Sequence, residues 1–305
     1  MNILVTGGAG FIGSHIVDAY ISAGHTVTII DNLSTGKMTN LNSKARFHQL
    51  DIREFSVDQV FNDSAFDVVN HLAAQMDVRK SVLDPIFDSS INILGTLNLL
   101  ENCKRCSVKK FIFSSTGGAI YGEQDYFPAD EQHPQRPLSP YGISKLAVER
   151  YLFYYDQVWG LRSTILRYAN VYGPRQNPHG EAGVVAIFGK KMLAGEEVTI
   201  NGDGEQTRDY VFVDDVVKAN LLALDQMTSD TFNIGTGVET TVNQIFTTIE
   251  SILETRCNSH HVPAKEGEQQ RSVLSYEKIR SNLGWQPTVS LRNGLQTTVN
   301  YFKTH

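Results

Sequence analysis

A glycine-rich segment near the start of the chain constrains the fold more than any other feature. Residues 6–13 have the sequence TGGAGFIG, between an apolar run, NILVT, and a stretch over 11–23 whose apolar residues recur at helical spacing. Gly7, Gly10 and Gly13 permit a tight turn, close approach of the backbone to a ligand, and close packing of a helix on a strand. Because a helix N-terminus favours phosphate, the segment predicts a strand–loop–helix unit that cradles a pyrophosphate.

Asp31 indicates which ligand carries that pyrophosphate. It follows the strand-like run 26–30, about twenty residues after the glycine segment. A carboxylate at this point accepts hydrogen bonds from the ribose hydroxyls of adenosine and repels a 2′-phosphate. No basic residue lies within the glycine segment or directly after Asp31. The sequence therefore predicts NAD, and not NADP, as the cofactor.

Strands and helices alternate through the first half of the chain, which is typical of a parallel sheet with helices on both faces. The predicted strands are 2–6, 26–30, 46–50, 67–71, 110–114 and 162–167. Helical patterns between them include 84–103 and 141–159. The expected fold class is α/β, a Rossmann-type doubly wound parallel sheet with a smaller C-terminal substrate-binding lobe.

The pattern changes after about Arg167. Loops rich in Gly, Pro and Asn, at 172–183 and 201–208, separate shorter elements. These elements are a strand at 231–234 and helices near 214–226, 242–255 and 291–302. We expect a discontinuous NAD-binding domain at 1–168 and 209–236. The smaller, substrate-binding lobe is then expected at 169–208 and 237–305.

Composition narrows the function classes. The formal net charge of −6 argues against nucleic-acid binding, which needs clustered Lys and Arg. No apolar run approaches the roughly 18–20 residues that span a bilayer, and no signal-peptide pattern precedes the first strand. Three cysteines in 305 residues favour a reducing compartment, so a cytoplasmic enzyme without membrane contact is expected.

A zinc site can be imagined from the cysteines but is not expected. Cys103 and Cys106 form a CxxC pair, and Cys257 lies near His260 and His261. Zinc needs four ligands at tetrahedral distances, and nothing in the sequence brings these segments together. We expect no metal, and a reduced cysteine pair at the surface.

Tyr141 and Lys145 are the first candidates for chemistry. Ser139 and Pro140 are typical of a helix start, and a spacing of four residues places the two side chains on one helix face. A neighbouring ammonium favours the phenolate, so Tyr141 could act as a base below its ordinary pKa of about 10. This pair is frequent on ordinary helices, but its position after the fifth strand of a dinucleotide fold favours a catalytic role.

The two motifs together resemble the extended short-chain dehydrogenase/reductase family. The resemblance extends over nearly the full chain through DNLSTG at 31–36, HLAAQ at 71–75, SSTGGAIYG at 114–122, RYANVYGPR at 167–175, GDGEQTRDY at 202–210 and FNIGTG at 232–237. Within the family, the chain is most similar to the nucleotide-sugar epimerases that act on UDP-glucose.

The resemblance implies a set of site residues. Tyr141 is the acid/base, Lys145 tunes it and binds the nicotinamide ribose, and Ser115 or Thr116, with Thr116 favoured, supplies a hydroxyl to the substrate. The expected cofactor residues are Gly7, Gly10, Phe11, Ile12, Gly13, Asp31, Asn32, Ser34, Thr35, Gly36, Asp51, Ile52, Leu72, Ala73, Ala74, Gln75, Asn92, Ser114, Tyr141, Lys145 and Tyr168. The expected substrate residues are Thr116, Tyr141, Asn170, Gly183, Val184, Val185, Arg208, Glu268 and Arg271.

The implied reaction is epimerisation of a UDP-hexose at C4 through a transient 4-keto sugar, with an NAD that stays bound. UDP-glucose and UDP-galactose, or their N-acetylated counterparts, are the expected substrates. Alternatives are a UDP-glucuronate 4-epimerase, another nucleotide-sugar oxidoreductase, or a regulatory module that only binds a dinucleotide. Tyr141, Lys145 and a hydroxyl are all present, which favours an enzyme. Relatives that dehydrate sugars carry an Asp-Glu pair where this chain has Gly117 and Gly118.

Two further expectations depend on the resemblance. The segments 84–103 and 141–159 correspond to helices that pair across a twofold axis in the family, so a homodimer is expected. The run 267–275 departs from the family pattern, with Glu268 in place of an Asp, Gln270 in place of an Arg and Ser275 in place of an Asp. Ser272 corresponds to a position beside the sugar C2 group, and its small size suggests that an N-acetyl group is accepted.

Overall fold

Strands and helices alternate from the first residues of the chain. The computed structural model describes residues 1–178, 183–264 and 269–305. Its first part contains β1 (Asn2–Thr6), α1 (Phe11–Ser22), β2 (Thr26–Asp31), a 3-10 helix (Met38–Asn40), β3 (Arg46–Gln49), α2 (Val57–Asn62), β4 (Val68–His71), α3 (Val78–Leu83), α4 (Pro85–Ser89), a π-helix (Ser90–Gly95), α5 (Thr96–Arg105), β5 (Lys110–Thr116), α6 (Gly117–Ile120), α7 (Pro140–Trp159) and β6 (Arg162–Tyr168).

Shorter elements follow, as the change in sequence pattern predicts. They are β7 (Asn170–Tyr172), α8 (Val184–Leu193), β8 (Val198–Asn201), β9 (Thr207–Arg208), β10 (Tyr210–Phe212), α9 (Val213–Asp225), β11 (Asp230–Ile234), β12 (Thr240–Thr241), α10 (Val242–Leu253), β13 (Ser259–Val262), α11 (Glu277–Leu283) and α12 (Leu291–Thr304).

One seven-stranded sheet organises the fold, in the order β3-β2-β1-β4-β5-β6-β11. β1 pairs in parallel with β2 and β4, so that Thr6 lies beside Ile30 and His71. β4 in turn pairs in parallel with β5, with His71 opposite Phe113. The carboxyl ends of these strands therefore meet at one edge, where ligands bind in sheets of this kind. The predicted Rossmann-type fold class is confirmed.

The helix predicted over 84–103 is not regular. Asp84 caps α4 by accepting a hydrogen bond from the Phe87 N–H at 2.9 Å, but a π-helical turn separates α4 from α5. Gly95, at the end of this turn, packs so closely on Ile52 that a Cβ there would lie 2.7 Å from the Ile52 Cδ1 atom. The spacing of apolar residues in the sequence does not predict such a widened turn. Turns of this π-helical kind frequently occur at functional sites.

The chain divides into two compact units. Unit 1 comprises Met1–Ile120, Pro137–Arg167 and Val217–Phe232, and unit 2 comprises Tyr121–Arg136, Tyr168–Val216 and Asn233–His305. Residues 121–136 and 209–216, which fall in the expected NAD-binding domain, thus lie in unit 2. The assignment of each ligand to one part of the chain stays a prediction.

Each unit has its own supporting structure. In unit 1, apolar side chains from the strands and from α2, α5 and α7 form a buried cluster that includes Phe61, Leu99, Phe111 and Leu152. Unit 2 contains three two-stranded pairs, β7 with β10, β8 with β13 and β9 with β12. No helix in the described ranges is long and apolar enough to cross a membrane.

The expected surface cysteine pair needs a correction. Cys103 is fully buried in the cluster of unit 1 because α5 directs it at the sheet, while Cys106 is half-buried. Burial raises the pKa of the Cys103 thiol well above its ordinary value, so this side chain behaves as a small apolar group. Within the described ranges, no cluster of His, Cys, Asp and Glu could hold a metal ion.

Candidate active site

The glycine segment forms a tight loop between β1 and α1. Gly7 has φ +73° and donates its N–H to the Ile30 carbonyl at 2.9 Å. A Cβ at Gly7 would lie 2.7 Å from the Ala73 nitrogen, and one at Gly13 would lie 2.1 Å from the Gly7 carbonyl oxygen. No side chain could occupy either position without moving the backbone. The loop thus stays bare where α1 begins, with Phe11 and Ile12 in its first turn.

Asp31 closes the same loop from β2. Its carboxylate accepts hydrogen bonds from the Ala9 N–H at 3.0 Å and the Leu33 N–H at 2.8 Å. Gly36 packs against Ala9 and Asp31, and the neighbouring Ser34 and Thr35 lie in the loop between β2 and the 3-10 helix. The structure therefore brings the predicted acidic residue and the predicted glycines together in unit 1.

Asp51 and Ile52, expected beside the adenine, lie just after β3. The Asp51 carboxylate accepts two hydrogen bonds from the Arg53 guanidinium, both at 2.9 Å, and one from Asn32 at 3.0 Å. Arg53 thereby lowers the pKa of Asp51 to about 2. Ile52 is buried, and its carbonyl accepts a hydrogen bond from Asn98 at 2.8 Å.

His71 connects the glycine loop to the π-helix. Its Nδ1 lies 2.7 Å from the Thr6 hydroxyl, and its Nε2 lies 2.8 Å from the Thr96 hydroxyl. Thr96 donates its own proton to the Asn92 carbonyl, so His71 must donate from Nε2 and accept at Nδ1. Burial, together with the charge of Lys145, lowers the pKa of His71 well below its ordinary value. His71 is therefore a neutral structural residue.

Gln75 and Asn92 form a closed pair behind β4. The Asn92 side chain accepts the Gln75 N–H at 2.9 Å and donates to the Gln75 carbonyl at 2.9 Å. Both side-chain amides also donate to one oxygen of Asp88, at 3.0 and 2.9 Å. The segment 72–75, with Leu72, Ala73 and Ala74, is thereby attached to α4 and the π-helix.

The helix α7 carries Tyr141 and Lys145. Ser139 caps it by accepting the Gly142 N–H at 3.2 Å, and Pro140 occupies its first turn. Lys145 is buried and donates to the carbonyl of Ser114 at 2.9 Å, with its ammonium nitrogen 5.9 Å from the centre of the Tyr141 ring. Lys145 therefore lies against the end of β5, with Tyr141 about one turn before it on the same helix.

The electrostatic surroundings of Lys145 make it responsive to its neighbours. Burial lowers the pKa of Lys145 to about 8, while the negative charges of Asp88 and Glu149 raise it. The ammonium group also lies 4.8 Å from the centre of the Phe113 ring, a favourable cation–π contact. A lysine whose pKa is close to neutral pH can exchange protons, and in its charged form it can stabilise a phenolate on Tyr141.

Ser115 and Thr116, the two alternatives for the catalytic hydroxyl, have different surroundings. Ser115 is buried, and its hydroxyl donates to the Glu149 carboxylate at 2.6 Å. Arg167 holds the same carboxylate through two hydrogen bonds, at 3.0 and 2.6 Å. Thr116, the last residue of β5, is partly exposed. Since the Ser115 hydroxyl is committed to Glu149, the geometry favours Thr116.

Asn170 begins the part of the expected substrate site that lies in unit 2. β7 pairs in parallel with β10, and the Asn170 N–H donates to the Asp209 carbonyl at 2.9 Å. The buried Asp209 carboxylate accepts from the N–H groups of Thr236, Gly237 and Leu274, at 2.8 to 3.2 Å. Tyr168, expected near the nicotinamide, is the buried last residue of β6.

Glu239 connects the segments that carry Arg208 and Arg271. The Glu239 carboxylate accepts two hydrogen bonds from Arg271, at 2.9 and 2.7 Å, and one from the Thr207 hydroxyl at 2.6 Å. Arg208, the neighbour of Thr207, lies on β9 opposite Thr240. The Arg271 guanidinium also stacks 3.7 Å above the centre of the Phe127 ring. Two predicted cations therefore lie on adjoining segments of unit 2.

The remaining predicted substrate residues lie at the start of α8 or outside the described ranges. Gly183 precedes α8 in an extended conformation, Val184 opens the helix and Val185 is buried in it. Glu268 falls outside the described residues. Ser272 is buried, next to a segment in which Val273 and Ser275 pair with Ala129 through hydrogen bonds of 3.0 and 2.8 Å.

Comparisons with known proteins place this geometry in a family. The NAD-dependent epimerase/dehydratase family matches residues 3–235. The chain belongs to that family. It is 49% identical to a putative UDP-glucose 4-epimerase of Methanocaldococcus jannaschii over 303 residues, which cover 99% of both chains.

Two solved structures are also similar over nearly their full lengths. A UDP-glucose 4-epimerase of Thermotoga maritima, crystallised with UDP-glucose, has a TM-score of 0.98 and 53% identity and covers 100% of this chain and 99% of its own. A UDP-glucose 4-epimerase of Thermus thermophilus in complex with NAD has a TM-score of 0.96 and 44% identity, with 99% coverage of both chains. The predicted family and the predicted cofactor, NAD, are confirmed.

The site fits the cofactor of this family. The Gly7 and Gly13 positions, which a Cβ would fill, leave backbone N–H groups bare at the start of α1. Asp31 places a carboxylate directly behind that loop, which suits ribose hydroxyls. The sequence reading missed Asp88, Glu149, Arg167 and Glu239, which hold the predicted residues in place. None of the four had a local signal in the sequence, because each is recognised only by partners that are distant along the chain.

Proposed function

We propose that this enzyme interconverts UDP-glucose and UDP-galactose by NAD-dependent epimerisation at C4, through a transient 4-keto sugar. The observation that carries the proposal is the Tyr141–Lys145 pair on α7, with Lys145 bound to the Ser114 carbonyl at the end of β5. The Ser115 hydroxyl is committed to Glu149, which favours Thr116 as the hydroxyl that meets the substrate. The names of relatives at 49 to 53% identity support this chemistry over other reactions of the family. Bound NAD would accept a hydride from C4 and return it.

Tyr141 is the proposed acid/base. It removes the proton of the C4 hydroxyl in the first half of the cycle and returns a proton to the same oxygen in the second half. The Lys145 ammonium, held by the Ser114 carbonyl, stabilises the phenolate form of Tyr141 through its positive charge. Thr116 hydrogen-bonds the C4 oxygen and orients it, because Ser115 is turned to Glu149.

Asn170, Arg208 and Arg271 are the proposed ligands of the nucleotide diphosphate. Guanidinium groups match phosphate oxygens in geometry and charge. The 4-keto hexose must present its opposite face before the hydride returns, so the tight contacts belong on the nucleotide and not on the sugar. Arg271, held by Glu239 and stacked on Phe127, is already ordered for that role.

The experiment that tests this function supplies no NAD. The purified enzyme is incubated separately with UDP-glucose, UDP-N-acetylglucosamine and UDP-glucuronate, and the products are resolved by chromatography. We expect UDP-galactose from UDP-glucose at a rate that added NAD does not increase, because the cofactor is regenerated in each cycle. Conversion of UDP-glucuronate alone would establish the uronate epimerase instead. Absence of turnover with every sugar would contradict an epimerase.

Ser272 favours a second substrate. It is buried and small, at the position that corresponds to the surroundings of the sugar C2 group in the family. We therefore expect UDP-N-acetylglucosamine to be epimerised as well. A Ser272→Tyr variant should lose this activity and keep turnover of UDP-glucose, whereas equal loss of both would show that the position does not select the substrate.

A homodimer is proposed from the apolar surface of α4, the π-helix and α7. Ile86, Leu94, Phe153 and Trp159 are 82%, 62%, 66% and 50% exposed, an unusual density of large apolar side chains on two neighbouring helical segments. A second copy of the chain, as expected from the family, would bury them. Phe153→Glu should yield a monomer in light scattering, and Met227→Glu, at an exposed apolar residue outside these segments, should not.

The compartment is proposed to be the cytoplasm. All three cysteines are unpaired thiols, which suits a reducing environment. The helices of the described ranges include no membrane span. Fractionation of cells that express the chain tests the proposal, and recovery of the enzyme with membranes would contradict it.

A further inference from the structure

A buried carboxylate connects the segments that carry the proposed catalytic residues. Asp88, on α4, is fully buried. One of its oxygens accepts hydrogen bonds from Gln75 at 3.0 Å and Asn92 at 2.9 Å, and the other accepts from the Ser144 hydroxyl at 2.7 Å. Ser144 lies between Tyr141 and Lys145 on α7. A single side chain thus ties the catalytic helix to the segment after β4 and to the π-helix.

Within the part of the chain that the structure describes, the three side chains that donate to Asp88 are neutral, and none of them cancels its charge. A buried carboxylate without a paired cation is rare in proteins, because removing the charge from water is costly. Glu149, the other carboxylate near Lys145, differs in this respect, since Arg167 binds it through two hydrogen bonds. The charge of Asp88 acts on the Lys145 ammonium group, whose pKa it raises.

We propose that Asp88 is a positioning residue for the epimerase reaction, fixing the first turns of α7 and keeping the Lys145 ammonium group charged. The inference rests on the proposed function for its role in catalysis. Its geometric part, the attachment of α7 to the segment 72–75, does not depend on that function. Asp88 makes no contact with substrate in this role and acts only through Ser144 and Lys145.

The other groups around Lys145 do less than Asp88 to keep its ammonium group charged. The titratable or charged ones are Tyr141 and Glu149 on α7, Asp88 on α4, His71 in β4 and, through Glu149, Arg167 on β6. The strand β5 contributes only the Ser114 carbonyl and the Phe113 ring. Burial and the charge of Lys145 lower the pKa of His71 and keep it neutral, and Glu149 is paired with Arg167. Asp88 is therefore the main group opposing the effect of burial on Lys145.

The sign of the effect follows from these surroundings. Burial lowers the pKa of Lys145 to about 8, and the Asp88 charge raises it. Removing that charge lowers the pKa further, so that Lys145 loses its proton within the working pH range. A neutral lysine no longer stabilises the Tyr141 phenolate. Turnover just below pH 8 should therefore fall when the Asp88 charge is removed, because the alkaline limb of the pH profile moves to lower pH.

Asp88→Asn separates charge from shape. Asn retains an oxygen that can accept from Gln75 and Asn92, and its NH2 group can donate to the Ser144 hydroxyl. We expect the alkaline limb of the kcat profile to move down by on the order of one pH unit, with kcat about tenfold lower above that limb and KM little changed. Asp84→Asn, at an exposed carboxylate that caps the same helix, is the matched control and should leave the profile unchanged.

A second measurement does not depend on turnover. In protein labelled with 13Cε-lysine, the Lys145 signal is assigned by its absence from Lys145→Met, and its titration is followed by NMR. The Lys145 pKa should be lower in Asp88→Asn than in the wild type and in Asp84→Asn. An unchanged Lys145 titration overturns the proposal even if activity falls. If the wild type epimerises none of the three UDP-sugars but the titration moves, the proposed function fails while the effect of Asp88 on Lys145 stands.

Ser144→Ala tests the hydrogen bond alone and protects the test against a failure of Asp88→Asn to fold. It removes one oxygen from a buried site and keeps the Asp88 charge. We expect a several-fold lower kcat with unchanged KM and a Lys145 titration near that of the wild type. Full wild-type kcat in Ser144→Ala would show that Asp88 does not fix α7.

Discussion

Two Arg–Glu pairs in this enzyme have the same hydrogen-bond pattern and opposite exposure. In unit 1, Glu149 accepts two hydrogen bonds from Arg167 and one from Ser115. In unit 2, Glu239 accepts two from Arg271 and one from the Thr207 hydroxyl. The first pair has side chains that are 4% and 4% exposed, and in the second the Arg271 side chain is 51% exposed and that of Glu239 is 26% exposed.

Because the two Arg–Glu pairs differ in exposure, we expect them to have different roles. The buried pair connects α7 to β5 and β6, and its carboxylate accepts the hydrogen bond of the Ser115 hydroxyl. The exposed pair orders a guanidinium that still faces solvent and can therefore meet a phosphate. Buried charged pairs are costly to break, whereas exposed ones contribute little to stability. Substitutions should accordingly change folding in unit 1 and ligand binding in unit 2.

The largest expected effect comes from Tyr141→Phe, which removes the proposed base from the helix that the buried pair holds. We expect kcat to fall by at least about 10³-fold, the scale of general acid–base catalysis. Bound NAD, measured by absorbance after denaturation, should remain at the wild-type level, and so should the unfolding midpoint. Loss of NAD together with activity would mean that the variant damages the fold, and retained activity would remove Tyr141 from the mechanism.

Glu149→Gln tests the structural task of the buried pair. It leaves the Arg167 guanidinium buried without its carboxylate, which should lower the free energy of unfolding by about 3–5 kcal/mol. Urea unfolding followed by fluorescence measures this change. Glu239→Gln, the matched change in the exposed pair, should leave the unfolding midpoint within error. Equal effects at the two sites would show that exposure does not separate the pairs.

Much of unit 1 could be predicted from the sequence because its signals are local. The glycine segment, Asp31 and the Tyr141–Lys145 spacing each identify an element and its position on the sheet edge. The choice between Ser115 and Thr116 stayed open because neighbours in a strand look alike in sequence. The Ser115 contact with Glu149, 34 residues away, and the greater exposure of Thr116 distinguish them.

The features that the sequence did not predict depend on distant partners. Asp88 looks like any polar residue of a helix until Gln75, Asn92 and Ser144 are seen to converge on it. The widened turn before α5 likewise packs closely against Ile52, a contact that hydrophobic periodicity does not encode. In unit 2, Arg208 and Arg271 were expected from resemblance, but Glu239, which brings their segments together, had no local signal.

Thr116→Ala and Ser115→Ala test which of the two hydroxyls acts on the substrate and which one serves the buried Arg167–Glu149 pair. Thr116→Ala should lower kcat by about 10²-fold, because the C4 oxygen loses its hydrogen-bond partner. Ser115→Ala removes a hydroxyl that serves Glu149, so it should lower the free energy of unfolding by about 1 kcal/mol and change kcat only a few-fold. The reverse order of the two effects on kcat, measured with UDP-glucose at saturation, would return Ser115 to the catalytic position.

The smallest expected effect is at the exposed pair. Arg271→Ala should raise the KM for UDP-glucose a few-fold without changing kcat, since a contact to the nucleotide acts equally on substrate and transition state. The rise should shrink as salt is added, because exposed charges are screened. Glu239→Gln keeps the Arg271 charge but loosens its orientation, so its KM should lie between those of the wild type and Arg271→Ala. A lower kcat with unchanged KM in either variant would mean that the exposed pair, like the buried one, positions the catalytic residues instead of the nucleotide.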